Sequence, residues 1–554
     1  MSAARALADG YWAYYRETAQ LWNIDRGDVD EIEKWEDLSG SGVAERLRRL
    51  GEWAERAQRS TGVDTEDQDA SLLAAVSFSA VATASLLPWL RNRGLVSGPF
   101  NFAAFLSVLV PGYSLVTRGH GEGYLTKLNG IPAFIDGWAD GLRSGLAVGQ
   151  IATERGVAKA ITDYDRLLGT NVSHDPLVRQ EPPSEFTQAE VDTWRNEVMA
   201  VVRDVIRPAV AQLRDVLSDE VLPLAPSDDE PGLCYLPDGA AAYEELLWAA
   251  TSTSHRSDAV HELGLVQLAR LDDEYRHVGG PVLGLDDPAL MRDRLRTDPS
   301  LHYQATDEII QDVHSMLDRA RLEAPRWFDR LPRAECDVVA VEAGGMAYYT
   351  APSPDGSRNG TFYFDATDPS RWTRFALAPT TFHEAIPGHH LQLALAQELE
   401  LHPVLGQLEV TAYGEGWGLY AERLADEMGL YATPLQRVGM LTLDSLRASR
   451  LVVDTGIHAK GWTRQRAIDF LYDHTALVRS NVETEVDRYI ADPGQAAAYM
   501  VGRLEIDRLR ADAARRLGDR FSIPSFHGTI LHGGMTPLDE LARRVDAWTG
   551  TITR

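Results

Sequence analysis

The sequence predicts a mainly α-helical protein with one small β-sheet. Three observations carry this. From Ala4 to about Val216, apolar residues recur at three- and four-residue spacing, as in Val198, Val201, Val202 and Val205, with charges between them. From Pro379 to the end the helical pattern returns, with breaks at Pro387-Gly388, Pro493-Gly494 and Gly533-Gly534. Between these regions, aromatic and β-branched Thr361-Phe362-Tyr363-Phe364 follow the turn formers Pro354 to Gly360, which is the pattern of a strand.

Each element follows from its residues. Leu217 to Cys234 gathers Pro, Ser and acidic residues, the composition of an exposed connection, and places a domain boundary near residue 230. Residues 1–230 are then an N-terminal helical lobe and 231–554 a catalytic, metal-binding lobe. Ala240 to Val278 reads as two helices, the second capped by Ser257. The apolar stretch Ser71 to Leu90 contains Ser, Thr and Pro88 and is expected to be a buried helix rather than a membrane span.

Composition narrows the partners. The 554 residues carry 54 Lys and Arg against 82 Asp and Glu, a net charge of −28 that repels phosphate backbones and anionic lipid. Neither nucleic acid nor membrane is expected as a partner. Cys234 and Cys336 lie far apart without Cys-x-x-Cys spacing, so they build neither a disulfide framework nor a thiolate metal site. The first twenty residues lack the apolar core and small-residue cleavage site of a signal peptide, and a cytoplasmic location is expected.

The chemistry concentrates in His383-Glu384-Ala385-Ile386-Pro387-Gly388-His389-His390. The helical zinc signature HExxH sets two His four residues apart on one face. Here the fifth position is Pro387, which lacks an amide donor and crowds the carbonyl of His383, so a regular helix does not continue through it. On an ideal helix His389 would lie roughly 600° around and about 9 Å along from His383, too far for shared ligation. A two-residue bulge at Pro387-Gly388 restores an effective spacing of four and makes His389 the preferred second ligand. His390, with the right face but about 10.5 Å away, is the alternative.

A third ligand is expected from Glu415 in Tyr413-Gly414-Glu415-Gly416-Trp417-Gly418, whose glycines permit close approach to the histidine helix. Glu422, two turns on, is placed to orient a ligand rather than to bind the ion. Glu384 becomes the general base that takes a proton from water and passes it to the leaving amine. Neither a Gly-x-Ser-x-Gly elbow nor a phosphate-binding loop with Lys appears, which leaves serine-hydrolase and nucleotide-driven chemistry without support.

The run HEAIPGHHLQ followed by YGEGWGLYAE resembles the bacterial family called domain of unknown function 885. The resemblance extends, in order, through Asp355 to Gly360, Arg450 to His458, Pro493 to Tyr499 and Phe526 to Leu538, and so covers most of the chain. That family in turn resembles thimet-oligopeptidase-like zinc peptidases, in which a ligand Glu is followed seven residues later by a second Glu, the interval from Glu415 to Glu422. The resemblance implies a two-lobed helical metallopeptidase-like fold with a deep cleft, one Zn2+ per chain, and Tyr499 in the region that carries an oxyanion-binding Tyr.

Several further residues are expected around that cleft. Arg450, Asp454 and His458 recur every four residues on one helix face, so His458 is expected to act catalytically with Asp454 fixing its tautomer, and Arg450 to bind substrate. Arg358 and an exposed edge strand at Thr361–Phe364 are expected to hold an extended peptide. The expected function is zinc-dependent cleavage of amide bonds in peptides or small peptide-like molecules. The alternatives are hydrolysis of a modified amino-acid conjugate and a non-catalytic, metal-stabilised binding protein.

Overall fold

The computed structural model describes residues 2–19, 29, 32–61, 67–94, 96, 101–341, 347–353, 356 and 358–553. Helices dominate it. The first half is built from Ala3–Thr18, Gly40–Ser60, Asp67–Asn92, Arg118–Val148, Glu154–Gly169 and Gln188–Val201, the last running on through Arg207–Val216. Each buries the face that its period marks; in Glu154–Gly169, for example, Val157, Ala160 and Tyr164 point inward. Thr153 caps that helix by accepting from the amide of Gly156.

Asp67–Asn92 contains the apolar stretch Ser71 to Leu90. By length and composition it could cross a bilayer. In this fold it packs on Ala3–Thr18, Gly40–Ser60, Arg118–Val148 and Gly239–Thr251, with Leu72, Leu73, Val76 and Leu87 buried.

The apolar interior divides near the expected boundary. One cluster runs from Ile32 to Val221 and another from Leu233 onward. The first 92 residues do not belong wholly to the first lobe, however. Phe78 and Ala82 sit in the later cluster, and Leu7, Tyr11 and Leu73 form a third with Val404, Leu405 and Leu408. Ser257 is the first residue of the helix Ser257–Glu274 rather than its cap; its hydroxyl and amide both donate to Glu244.

Among the described residues the sheet has three strands, β1 (Cys336–Val341), β2 (Ala347–Thr350) and β3 (Gly360–Asp365), in the order β1-β3-β2. β1 runs parallel and β2 antiparallel to β3. The expected edge strand is therefore the centre of the sheet: both of its ladders are occupied, and the free edges belong to β1 and β2. Phe362 and Phe364 turn into the core, which explains why this segment, the most aromatic of the three, takes the central place. Of the expected turn before it, Pro354, Asp355 and Ser357 lie outside the described residues.

Beyond the sheet come Leu377–Glu384, His389–Glu398, Thr411–Glu427, Pro434–His458 and Ala498–Leu517. Thr411–Glu427 and Ala498–Leu517 cross in close contact because Gly416 faces Gly502; a β-carbon on Gly502 would stand 1.9 Å from the carbonyl oxygen of Ala412.

Candidate metal and catalytic site

The histidine motif does not form one bulged helix. The first helix ends at Glu384, and a second begins at His389. Pro387 cannot supply the amide that would continue the first helix. Gly388 passes so near it that a β-carbon there would lie 1.8 Å from the carbonyl oxygen of His383. Trp417 clamps the break from the neighbouring helix, its indole nitrogen donating to the carbonyls of Pro387 and Gly388. The chain thus reverses within four residues and returns His389 to His383, with ring centroids 4.8 Å apart and planes at 87°.

Glu415 completes the group. Its Oε2 lies 3.3 Å from His383 Nε2 and 3.5 Å from His389 Nε2. One ligand atom from each of the three residues lies within 4.8 Å of the others. Gly418, one turn after Glu415, lets this helix reach the imidazole: a β-carbon would stand 2.6 Å from His383 Cε1. His383 Nδ1 donates to Glu422 Oε1 at 2.9 Å, which fixes the tautomer and aims Nε2 at the group. The donor set suits one divalent cation, with two imidazole nitrogens, a carboxylate oxygen and a second carboxylate behind the first ligand.

Electrostatics agree with the chemistry of a cation seat. Burial lowers the His383 pKa, but its bonds to Glu415 and Glu422 outweigh this and lift it to about 10. Burial pushes Glu415 up, yet the two imidazoles hold it well below the usual carboxylate range. Shared protons are therefore strongly held where a cation would replace them. Glu384 is shifted upward, chiefly by burial, with His383 and His389 opposing.

Tyr499 lies on the same side. Its ring stacks near that of His383, with centroids 6.5 Å apart and planes at 22°, and burial together with Glu415 pushes its hydroxyl up to about 12. Arg450 is buried, its guanidinium carbon 4.6 Å from the Tyr499 ring centroid; Nε donates to the Tyr489 hydroxyl and Nη2 to Glu485.

Other expected residues stand elsewhere. His458 is corrected from a catalytic to a structural residue, since Nδ1 accepts from the amide of Leu233 and Nε2 donates to the carbonyl of Tyr489. Both ring nitrogens are thus committed to backbone, and burial lowers its pKa to about 3. Asp454 does not hold His458; it accepts from the Tyr243 hydroxyl and the amide of Gly494. Helix periodicity placed the two on one face but could not show that this face meets other backbone.

His390 is likewise turned away from the group. Its Nδ1 accepts from the Tyr349 hydroxyl, and its Nε2 donates to the carbonyl of Ala334. Gly360 makes room, since a β-carbon there would lie 2.0 Å from that hydroxyl. Arg358 is exposed and folds back on β2, donating to Thr350 Oγ1 and the carbonyl of Ala351.

Sequence reasoning missed Arg447. Its guanidinium carbon lies 5.9 Å from the Tyr499 ring centroid, and Nη2 lies 3.8 Å from Glu422 Oε1. The only available signal was its position one turn before Arg450 on the same helix.

A profile of a bacterial protein family of unknown function, DUF885, matches residues 21–545. The chain belongs to the DUF885 family. That match contains the histidine motif, the Glu415 helix and Tyr499, so the whole group lies inside the family's domain. Among solved structures, a provisionally described lipoprotein from Colwellia psychrerythraea is similar at 24% identity and a TM-score of 0.88, over 99% of this chain and 100% of its own. A provisionally described lipoprotein of unknown function from Shewanella oneidensis is similar at 16% identity and a TM-score of 0.76, over 98% of this chain and 99% of its own. Both share the fold of this DUF885 chain. No curated protein matches the sequence.

Proposed function

We propose that this DUF885 protein is a metal-dependent hydrolase, with zinc as the expected ion, that cleaves amide bonds in peptides or small peptide-like substrates. The observation that carries the reading is the convergence of His383, His389 and Glu415 across a broken helix, with Glu422 locking the first imidazole. A purely structural zinc site is closed by four protein ligands. Here three protein donors meet beside the half-buried carboxylate of Glu384, and Glu415 keeps about a quarter of its side chain exposed (24%), which leaves an approach for substrate.

A bound cation would supply Lewis-acid polarisation of the scissile carbonyl and make water more acidic. The chain's own residues supply the rest. Glu384 accepts a proton from the attacking water at a carboxylate oxygen and returns it to the leaving amide nitrogen; its upward-shifted pKa suits a group that must both take and give. The Tyr499 hydroxyl donates to the oxygen that develops negative charge. Glu422 keeps the proton on His383 Nδ1 and so leaves Nε2 free to bind. Water attacks directly, so no covalent enzyme intermediate forms.

A cleft between lobes and residence in the cytoplasm complete the proposal. The lipoprotein descriptions belong to the two relatives, and cell fractionation of the native protein decides the location. The function is tested with Glu384→Gln. Metal content should stay at the wild-type level while hydrolysis of a peptide mixture, followed by mass spectrometry, falls by about 10²–10⁴-fold. Unchanged turnover rules out the role of Glu384.

A further inference from the structure

The helix Pro434–His458 carries a charged feature that neither the cation seat nor the general base uses. Arg447 and Arg450 lie three residues apart and so share a face. Both guanidinium groups lie against the Tyr499 ring, which itself lies against His383. The two cations therefore stand one side chain away from the proposed reaction centre.

Neither is satisfied. Arg450 Nη1 is buried without an acceptor, although its other two nitrogens are used. Arg447 Nε is also buried without an acceptor. The carboxylate nearest to Arg447, Glu422 at 3.8 Å, accepts from His383 through that same oxygen, Oε1, while its Oε2 is buried without a partner and does not reach the Arg447 Nε. Glu485, the partner of Arg450, is shared with Arg488. Buried guanidinium N–H groups are normally paired, and an unpaired one calls for an explanation in function.

We infer that Arg447 and Arg450 receive the free carboxylate of a peptide, so that the amide bond cut lies one or two residues from the carboxyl terminus. The inference deepens the hydrolase reading and rests on it. An extended residue spans at most about 3.6 Å, so a terminal carboxylate one or two residues past the scissile carbonyl falls about 4–7 Å beyond it. The Tyr499 ring centroid lies 6.5 Å from that of His383 and 4.6 Å from the Arg450 guanidinium carbon, so this cation stands no more than about 11 Å from the imidazole, within reach of such a carboxylate. The guanidinium fork matches a carboxylate, whereas a terminal carboxamide would set donors against donors and leave the charge unpaired.

The test uses zinc-loaded Glu384→Gln protein and two pools of tripeptides, one with free carboxyl ends and the other carrying the same sequences as carboxamides. Retained peptides are identified by mass spectrometry after rapid gel filtration. Acids should be retained about 10-fold or more above amides. The ratio should fall to about 1 when Arg447→Gln or Arg450→Gln is added, and Arg447→Lys should keep part of the preference. Melting curves and metal content establish that each variant is folded and loaded.

Equal retention of the two pools, or retention of neither, overturns the inference. So does retention that follows internal Asp or Glu whatever the end group. Acid-selective retention by a protein whose wild type cleaves no peptide upholds the carboxylate site and refutes the hydrolase reading. Cleavage of internal bonds at equal rates in both pools does the reverse.

Discussion

Gly418→Ala isolates the packing that delivers His383 to the proposed cation seat. The added β-carbon would stand 2.6 Å from Cε1, 2.8 Å from Nε2 and 3.0 Å from Nδ1 of that imidazole, where ordinary contact begins near 3.4 Å. The ring or the helix must yield by about 0.8 Å, the difference between 3.4 and 2.6 Å. The ring cannot simply swing, because Glu422 holds one nitrogen and Glu415 faces the other. Alanine favours helix over glycine by about 1 kcal/mol, and overpacking costs about 1–3 kcal/mol, so the net loss of stability is about 0–2 kcal/mol. Metal affinity should suffer more, by about 10–100-fold, the range seen when a ligand's support is disturbed.

The assay is zinc titration against a competing chelator, with urea unfolding run in parallel. Gly414→Ala is the control, since a β-carbon there meets nothing within 4 Å; it should bind zinc normally and gain up to about 1 kcal/mol. Wild-type zinc affinity in Gly418→Ala would refute the argument that this glycine sets the position of His383.

Three further outcomes are expected. Glu422→Gln should lower zinc affinity about 10–100-fold in the same titration, because His383 Nδ1 loses its charged acceptor. His390→Ala should leave zinc content unchanged while lowering stability by about 1–3 kcal/mol, since it strands the Tyr349 hydroxyl and the carbonyl of Ala334; loss of metal instead would show that His390 is a ligand. Acid should destabilise the fold. Burial lowers His390 to about 4, and His458 and His527 to about 3, so at these three residues the unfolded chain binds more protons below the ordinary imidazole value of 6.5, while buried Asp454, raised to about 7, acts in the opposite sense. The stability that these groups give above pH 6.5 is lost as pH falls toward 4, at about 1.4 kcal/mol per pH unit for each. Urea unfolding of His458→Gln between pH 7 and 5 should show a loss of stability shallower than wild type by about 1.4 kcal/mol per pH unit, and an unchanged slope would contradict this.

The helical class and the strand around Phe362 were readable because their signals are local: a three-to-four period in one case, turn formers before an aromatic run in the other. β1 and β2 were not, since Val338 to Val341 is too short an apolar run to separate strand from helix. At the site, Pro387 showed that the helix had to break, but the sequence favoured a bulge over the full stop that occurs at Glu384. Spacing also grouped Asp454 and His458 correctly on one face while their partners, Gly494 and Leu233, came from distant segments. Arg447 was hidden for the same reason, because its meaning comes from Tyr499, which only tertiary packing brings beside it.

The most direct measurement is anomalous X-ray scattering at the zinc edge from crystals of the zinc-loaded protein. One peak is expected, bonded to His383 Nε2, His389 Nε2 and Glu415 at about 2.0–2.2 Å from each. A peak bonded to His390, or no peak among these three side chains, would contradict it.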